Sequence, residues 1–353
     1  MLTYWAIFVL LSVLSLAPLQ VRERRILSIL IGLLLMGVAG LRAGITADYD
    51  SYLAKYNAFK AGDTDEGIEA SYKIICDIVA NTVDHFNGVL LIYAFLAILP
   101  LVYAIIVQTK SSLLVFPYFY SYYFFLHPMT QIREAVAATM LLMSLQFIKE
   151  KKLILFVIII LIGSFFHISL MLFLPFYFIL NYVNLTLKTS FICLLIGVGI
   201  AQIHVLNLVL GYNLGTDSYI IAKLYAHKGT IEAGFGERTA GVYILMIYAK
   251  LLFNFFLRYK EKTIAAHSGY FKIFLNLHFF GCLSYLILSD LHIVAGRVSE
   301  LLCIVEIFLV PSLVYIFRPR VFGKILVLGI CLFQLIITLY VVILSGPYRI
   351  GMQ

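Results

Sequence analysis

The sequence predicts an all-α protein, a polytopic transmembrane helical bundle of about twelve spans. Three observations predict it. Hydrophobic residues make up 63% of the 353 positions and charged residues 12%, whereas a soluble domain carries about 25% charged and about 45–50% apolar residues. Too little polar surface remains to cover a globule in water. The apolar residues also fall in long runs, close to the ~20 residues that a bilayer core requires. Finally, the basic residues sit in short clusters between those runs, the charge pattern of membrane topology. That placement argues against nucleic acid as the partner of the net charge of +8.

Taken in order, the first run, 2–19, has no basic stretch before it and no A-x-A site after it. It reads as a retained span and not as a cleaved signal. Further runs follow at 26–41, 87–108, 113–126, 134–148, 153–166, 168–183, 189–210, 241–257, 269–289, 298–317 and 325–345. His167 marks the division between the sixth and seventh. The five cysteines, Cys76, Cys193, Cys282, Cys303 and Cys331, show neither metal-ligand spacing nor a disulfide framework. One integral membrane domain therefore covers 1–353, with no separate soluble domain.

Orientation follows from the Lys and Arg count. The connections 20–25, 109–112, 149–152, 184–188, 258–268 and 318–324 hold 14 basic residues in 37 positions. The alternate connections, 42–86, 127–133, 164–168, 211–240, 290–297 and 346–353, hold ten in 103. The dense set is assigned to the cytoplasm, so both termini and both long loops, 42–86 and 211–240, fall outside. The first long loop carries eight acids. Within it, 68–84 places Ile68, Tyr72, Ile75 and Val79 at helical spacing, which predicts an amphipathic helix at the interface. Long outer loops over short inner ones place the function on the outer face. No internal repeat points to a transporter built from inverted halves.

Ionisable groups at membrane depth are costly and mark function. Arg42 ends the second run, Arg133 and Glu134 open the fifth, and His167 lies between the sixth and seventh. Arg238 precedes the ninth, and Asp290 and Arg297 lie between the tenth and eleventh. All fall at outer ends, where a bundle could gather them around one cavity. Arginine forks match phosphate oxygens and stabilise the charge that grows on a departing diphosphate. A histidine or carboxylate could take the proton from a sugar hydroxyl. Tyrosine faces suit sugar rings, and no Walker or Rossmann pattern points to a nucleotide.

Plainer readings stand beside these. Arg42 could serve only as an interfacial anchor. Arg297 could simply pair with Glu300 three residues on, and His167 could be a loop histidine bonded to a carbonyl. The aromatic cluster Tyr118–Phe125 reads as packing and interface belt. Asp48-x-Asp50 lacks further oxygen ligands at calcium-loop spacing, so neither metal nor cofactor is expected. Lys250 and Glu306 lie deeper in their runs and are expected to pair with each other or line a wet cavity.

The stretch Leu41-Arg42-Ala43-Gly44-Ile45-Thr46-Ala47-Asp48-Tyr49-Asp50-Ser51-Tyr52, followed by Tyr56, resembles the first outer loop of EpsG-type proteins, which are Wzy-like polysaccharide polymerases. Gln131-Ile132-Arg133-Glu134-Ala135-Val136-Ala137, Phe166-His167-Ile168-Ser169 and Arg297-Val298-Ser299 agree with it. Thr46-Ala47-Asp48 replaces the usual Gly-x-Asp spelling. The resemblance implies a GT-C-like glycosyltransferase of the bacterial inner membrane. It would join undecaprenyl-diphosphate-linked repeat units into O-antigen or exopolysaccharide at the periplasmic face, alongside a separate chain-length regulator. Carried over by position, Arg42, Asp48, Tyr49, Tyr52, Arg133 and His167 line the site.

The combined reading assigns His167, Arg133, Asp48, Glu134 and Asp290 to catalysis. Arg42, Tyr49, Tyr52, Gln131, Arg238 and Arg297 are assigned to substrate binding. His167, Asp48, Glu134 and Asp290 remain alternatives for the general base. The rival classes are a flippase for the lipid-linked unit, a membrane acyltransferase and a glycan ligase. A flippase predicts charges spread through the membrane depth, and an acyltransferase needs a route from the inner face.

Overall fold

The computed structural model describes residues 1–44, 46–62, 69–110, 112–203, 237–342 and 348. Among them, helices account for nearly all regular structure and no extended strand occurs. The chain divides into two compact units. The first comprises Met1–Asn181, Ala266–Tyr270 and Ile307–Gln353; the second comprises Tyr182–Ala265 and Phe271–Glu306.

In the first unit, α1 (Leu2–Leu16) and α2 (Val21–Gly40) are followed by two helices of the long loop, α3 (Tyr49–Lys60) and α4 (Ala70–Ala80). Next come α5 (Phe86–Gln108), α6 (Ser112–Ser121), α7 (Tyr123–Leu126), α8 (Ile132–Lys149), α9 (Leu153–Ser164) and α10 (Phe176–Tyr182). The centre is α5, which packs on α2, α4 and α8, while α8 packs in turn on α9. Gly40 permits the α2–α5 approach: a Cβ there would lie 2.9 Å from the Leu91 Cα. The helix at 70–80 bears out the helical spacing of Tyr72, Ile75 and Val79, while Ile68 lies outside the described residues. The helix's apolar face, Tyr72, Ile75, Cys76 and Val79, is buried in the protein core. The tyrosines and Phe86 of the neighbouring elements give that face a better partner than an interface.

In the second unit, α11 (Leu187–Gln202), α12 (Glu237–Tyr259), α13 (Glu261–Ala265), α14 (Phe271–Ile287) and α15 (His292–Cys303) follow. Here α14 is central and packs on α11, α12 and α15. The chain then returns to the first unit through α16 (Glu306–Leu309), a 3₁₀ turn (Pro311–Tyr315) and α17 (Arg320–Ile337). The loop expected at 211–240 lies outside the described residues up to 236.

Among the described residues, three helical stretches are long and apolar enough to cross a membrane: Phe86–Gln108, Val294–Tyr315 and Arg320–Tyr340. Five more, Leu2–Leu16, Leu153–Ser164, Ile168–Tyr182, Leu187–Gln202 and Phe271–Ile287, are apolar but shorter. Several runs expected as single spans are broken. The run 113–126 divides at Tyr122 into α6 and α7. The run 168–183 begins as a 3₁₀ turn (Ile168–Phe173) and resumes as α10 after Pro175, whose ring removes an N–H donor from a helix interior. Apolar periodicity cannot show such breaks, because the side chains remain apolar on both sides of them.

The outward faces are those of a membrane protein. On α9, Ile154 is 76% exposed beside Leu155, Ile158, Leu161 and Ile162; on α17, Phe333 is 66% exposed beside Phe322, Ile325 and Ile336. Faces this large and apolar need a hydrocarbon solvent. The aromatic cluster of 118–125 is packing and not a belt, since Tyr118, Phe119, Tyr120, Tyr123, Phe124 and Phe125 are all buried.

Candidate functional site

The site is built where the first long loop meets α8. Asn87, near the start of α5, donates to the carbonyls of both Gly40 and Arg42 at 3.0 Å. Thr46 donates to the Met129 carbonyl at 3.0 Å, tying the loop to the connection before α8. Asp48 is the residue before the first turn of α3, so Tyr49 and Tyr52 leave that helix from its opening turn. Tyr72 donates to the Tyr52 carbonyl at 2.7 Å and holds α3 on α4. Beneath them the rings of Tyr52, Tyr72, Tyr93 and Phe166 follow one another at centroid separations of 5.7, 6.1 and 6.1 Å.

Gln131, Arg133 and Glu134 occupy the start of α8. An acid in a helix's first turn is favoured by the helix dipole, which helps to hold Glu134 in its buried place. Arg133 forms an ion pair with Glu69, and its guanidinium lies 5.7 Å from the centroid of the Tyr52 ring. The His167 Nδ1 lies 3.7 Å from Glu69 Oε1, and its Nε2 lies 3.9 Å from Glu134 Oε2. The imidazole thus sits between two carboxylates, one of which also holds the arginine.

Arg42 is fully buried, which removes the interfacial-anchor reading. It donates from Nη1 to the Ala39 carbonyl, while its Nε and Nη2 meet no acceptor among the described residues. Burial pushes its guanidinium down to about 10, and the hydroxyls of Tyr49, Tyr52, Tyr348 and Tyr4 oppose that shift. Tyr52 thus interacts electrostatically with Arg42 and lies against Arg133. Burial raises its phenol and Arg133 lowers it in part.

His127 is buried too and stacks on Tyr123 at 5.9 Å. Burial pushes it down to about 3. An unfolded imidazole takes a proton below about 6.5; the folded one stays neutral until far lower pH. Stability contributed by this group is therefore present above about 6.5 and lost as pH falls towards 3. Between pH 7 and pH 5 the wild type should lose about 2 kcal/mol more than His127→Phe, a substitution that keeps the stack. Thermal unfolding of both proteins at both pH values measures the difference.

Arg42, Asp48, Tyr49, Tyr52, Gln131, Arg133, Glu134 and His167 all belong to the first unit, and the interactions above link most of them into one neighbourhood. Arg238, Asp290 and Arg297 belong to the second. Arg238 lies in the first turn of α12 and not ahead of it; its side chain lies outside the described set. Asp290 sits in a 3₁₀ turn (Ser289–Leu291) and Arg297 on α15. Glu69 was missed by sequence reasoning. Its signal was a position at the mouth of an amphipathic helix, one acid among eight in the loop. Spacing alone does not show which of them turns inward.

The second unit holds the deep charges. Lys250 Nζ is 2.9 Å from Glu306 Oε1, the pairing expected for both. His278 Nε2 is 2.8 Å from the same oxygen. Asn254 spans the Leu275 carbonyl at 2.8 Å and His278 Nδ1 at 3.1 Å. Because that amide nitrogen can only donate, it leaves the imidazole Nε2–H to donate to the carboxylate. Cys282 and Cys303, remote in sequence, lie 3.9 Å apart beside this histidine.

Fold and site together define a class: an all-helical membrane protein in which two arginines, two carboxylates and a histidine converge under a sheaf of tyrosines. The family model for the EpsG family matches residues 25–351, nearly the whole chain. The chain belongs to this family of Wzy-like polysaccharide polymerases. No curated protein and no solved structure matches it.

Proposed function

We propose that the protein polymerises a glycan carried on undecaprenyl diphosphate, at the outer face of a bacterial inner membrane. The observation that carries this reading is Arg42: a buried guanidinium with two nitrogens that meet no acceptor among the described residues, in electrostatic reach of the Tyr52 that lies against Arg133. Buried donors seldom go unsatisfied, and a diphosphate supplies acceptors in the geometry that a guanidinium fork matches.

In this mechanism Arg133 and Arg42 hold the donor diphosphate, and tyrosine faces receive the sugars. Gln131, the residue before the first turn of α8, is a further candidate for the sugar. The acceptor hydroxyl attacks the anomeric carbon. The bond from that carbon to the diphosphate oxygen breaks, and its electron pair leaves with undecaprenyl diphosphate. His167 takes the hydroxyl proton, with Glu69 and Glu134 orienting the ring and stabilising the imidazolium that forms. Asp48, from the same unit, is the alternative base. A single displacement inverts the anomeric carbon.

The test is a gel of surface polysaccharide from a deletion strain complemented with wild type or His167→Ala. The expected result is a ladder that collapses to a single repeat unit on deletion, returns with wild type and does not return with His167→Ala. Loss of every band, the single unit included, would replace this reading with a flippase or ligase. An unchanged ladder would replace it with an acyltransferase.

A further inference from the structure

At the other end of the first unit, two adjoining pockets open with volumes of about 430 and 490 Å³. Arg24, Arg25, Lys110 and Lys149 line the first, and Arg24, Lys110, Arg320 and Lys324 line the second. His267 borders both. Among the described residues, no carboxylate lines either pocket. Of the acids nearest in sequence, Glu23 accepts from the Gln20 backbone N–H at 2.7 Å, and Glu150 pairs with Lys152 at 2.7 Å while also acting on Lys149.

A topological charge bias requires only that cations face water. Here they are held in place around a space. Arg24 donates to the Lys110 carbonyl at 2.5 Å. Lys149 lies 3.9 Å from the centroid of the Tyr270 ring. Arg320 lies 5.6 Å from the centroid of the Tyr315 ring, on which His267 stacks at 4.4 Å. Like charges converged in excess of the nearby counter-charge repel, and a bound anion would relieve that repulsion. The walls also carry Ile106, Val107, Leu113, Leu114 and Val314, which a free anion would not use.

We propose that this pair of pockets binds the phosphate-bearing headgroup of an anionic lipid, with the acyl chains against the aliphatic walls. Basic pockets between membrane helices take such headgroups. The shared wall of Arg24, Lys110 and His267 suits a lipid with two phosphates, one in each pocket. The segments that meet here, around 20–25, 110, 149, 267–270 and 320–324, come from the basic connections and the residues bordering them. The site is therefore one of the inner leaflet. It is independent of the glycan reading, and its failure would leave the ladder test untouched.

Native mass spectrometry of the full-length protein in neutral detergent tests the assignment, with cardiolipin, phosphatidylglycerol, phosphatidylcholine and inorganic phosphate as probes. The expected result is retention of cardiolipin and phosphatidylglycerol over phosphatidylcholine, weakened by salt. Replacing Arg24, Lys110 and Arg320 together with Gln should weaken retention about a hundredfold. Arg24→Lys with Arg320→Lys keeps the charge and should retain most of the binding. If the triple variant does not fold, the wild-type preference between phosphatidylglycerol and phosphatidylcholine decides. Equal retention of the two lipids, or undiminished retention in a folded triple variant, overturns the proposal. Inorganic phosphate bound as tightly as the lipids overturns the lipid assignment.

Discussion

Replacing Arg133 with Lys should lower polymer formation about 10²–10³-fold, the effect of losing one oriented donor to a transition-state anion. Lysine keeps the charge but not the planar fork. From the start of α8 it cannot reproduce the joint engagement of Glu69 and Tyr52 that aims the guanidinium. The measurement is ladder length and initial rate in the complemented deletion strain, with protein level and thermal stability checked in parallel. A wild-type ladder from a stable Arg133→Lys protein would remove Arg133 from the site. Glu69→Gln provides the complementary result. It keeps the shape of the side chain but removes the negative charge between Arg133 and His167, so a smaller loss is expected, together with a changed pH dependence of the rate.

Glu306→Leu should destabilise the second unit by about 3–5 kcal/mol, the usual cost of leaving a buried charge without its partner. Two groups lose an acceptor at once: the ammonium of Lys250 and the Nε2–H of His278. Adding Lys250→Met should restore part of that loss, because replacing both members of a buried pair with apolar residues is close to neutral. The recovery stays incomplete while His278 lacks its acceptor. Thermal unfolding of the two single variants and the double variant gives the coupling. Additive losses would show that the pair does not act as a unit.

Much of the site could be read in the chain. Arg42, Tyr52, Arg133, Glu134 and His167 lie within three short segments at the ends of apolar runs, and the helix at 70–80 was legible from the spacing of Tyr72, Ile75 and Val79. The interruption of the spans was not. Pro175 and the break at Tyr122 change backbone geometry without changing hydropathy, so long runs read as single helices. Glu69 was invisible for a similar reason. An acid at a helix start is ordinarily a solvated helix-dipole partner, and only the packing of α4 on α5 brings it to Arg133 and His167.

By itself the sequence determined the solvent. With 63% hydrophobic residues and 12% charged, no arrangement of this chain covers itself with polar surface, so a membrane protein follows from composition alone. It also determined that the costly ionisable groups are few and sit mostly at run ends, with Lys250 and Glu306 deeper, since each must be repaid by a partner or a function. Only the tertiary structure decided which of them meet. It placed Arg42 fully inside the protein, set His167 between Glu69 and Glu134, and joined Lys250 to His278 through Glu306. These are contacts between residues that lie from 28 to 98 positions apart. They depend on how helices cross, and helix crossing is set by the shapes of packed side chains, which a one-dimensional pattern does not record.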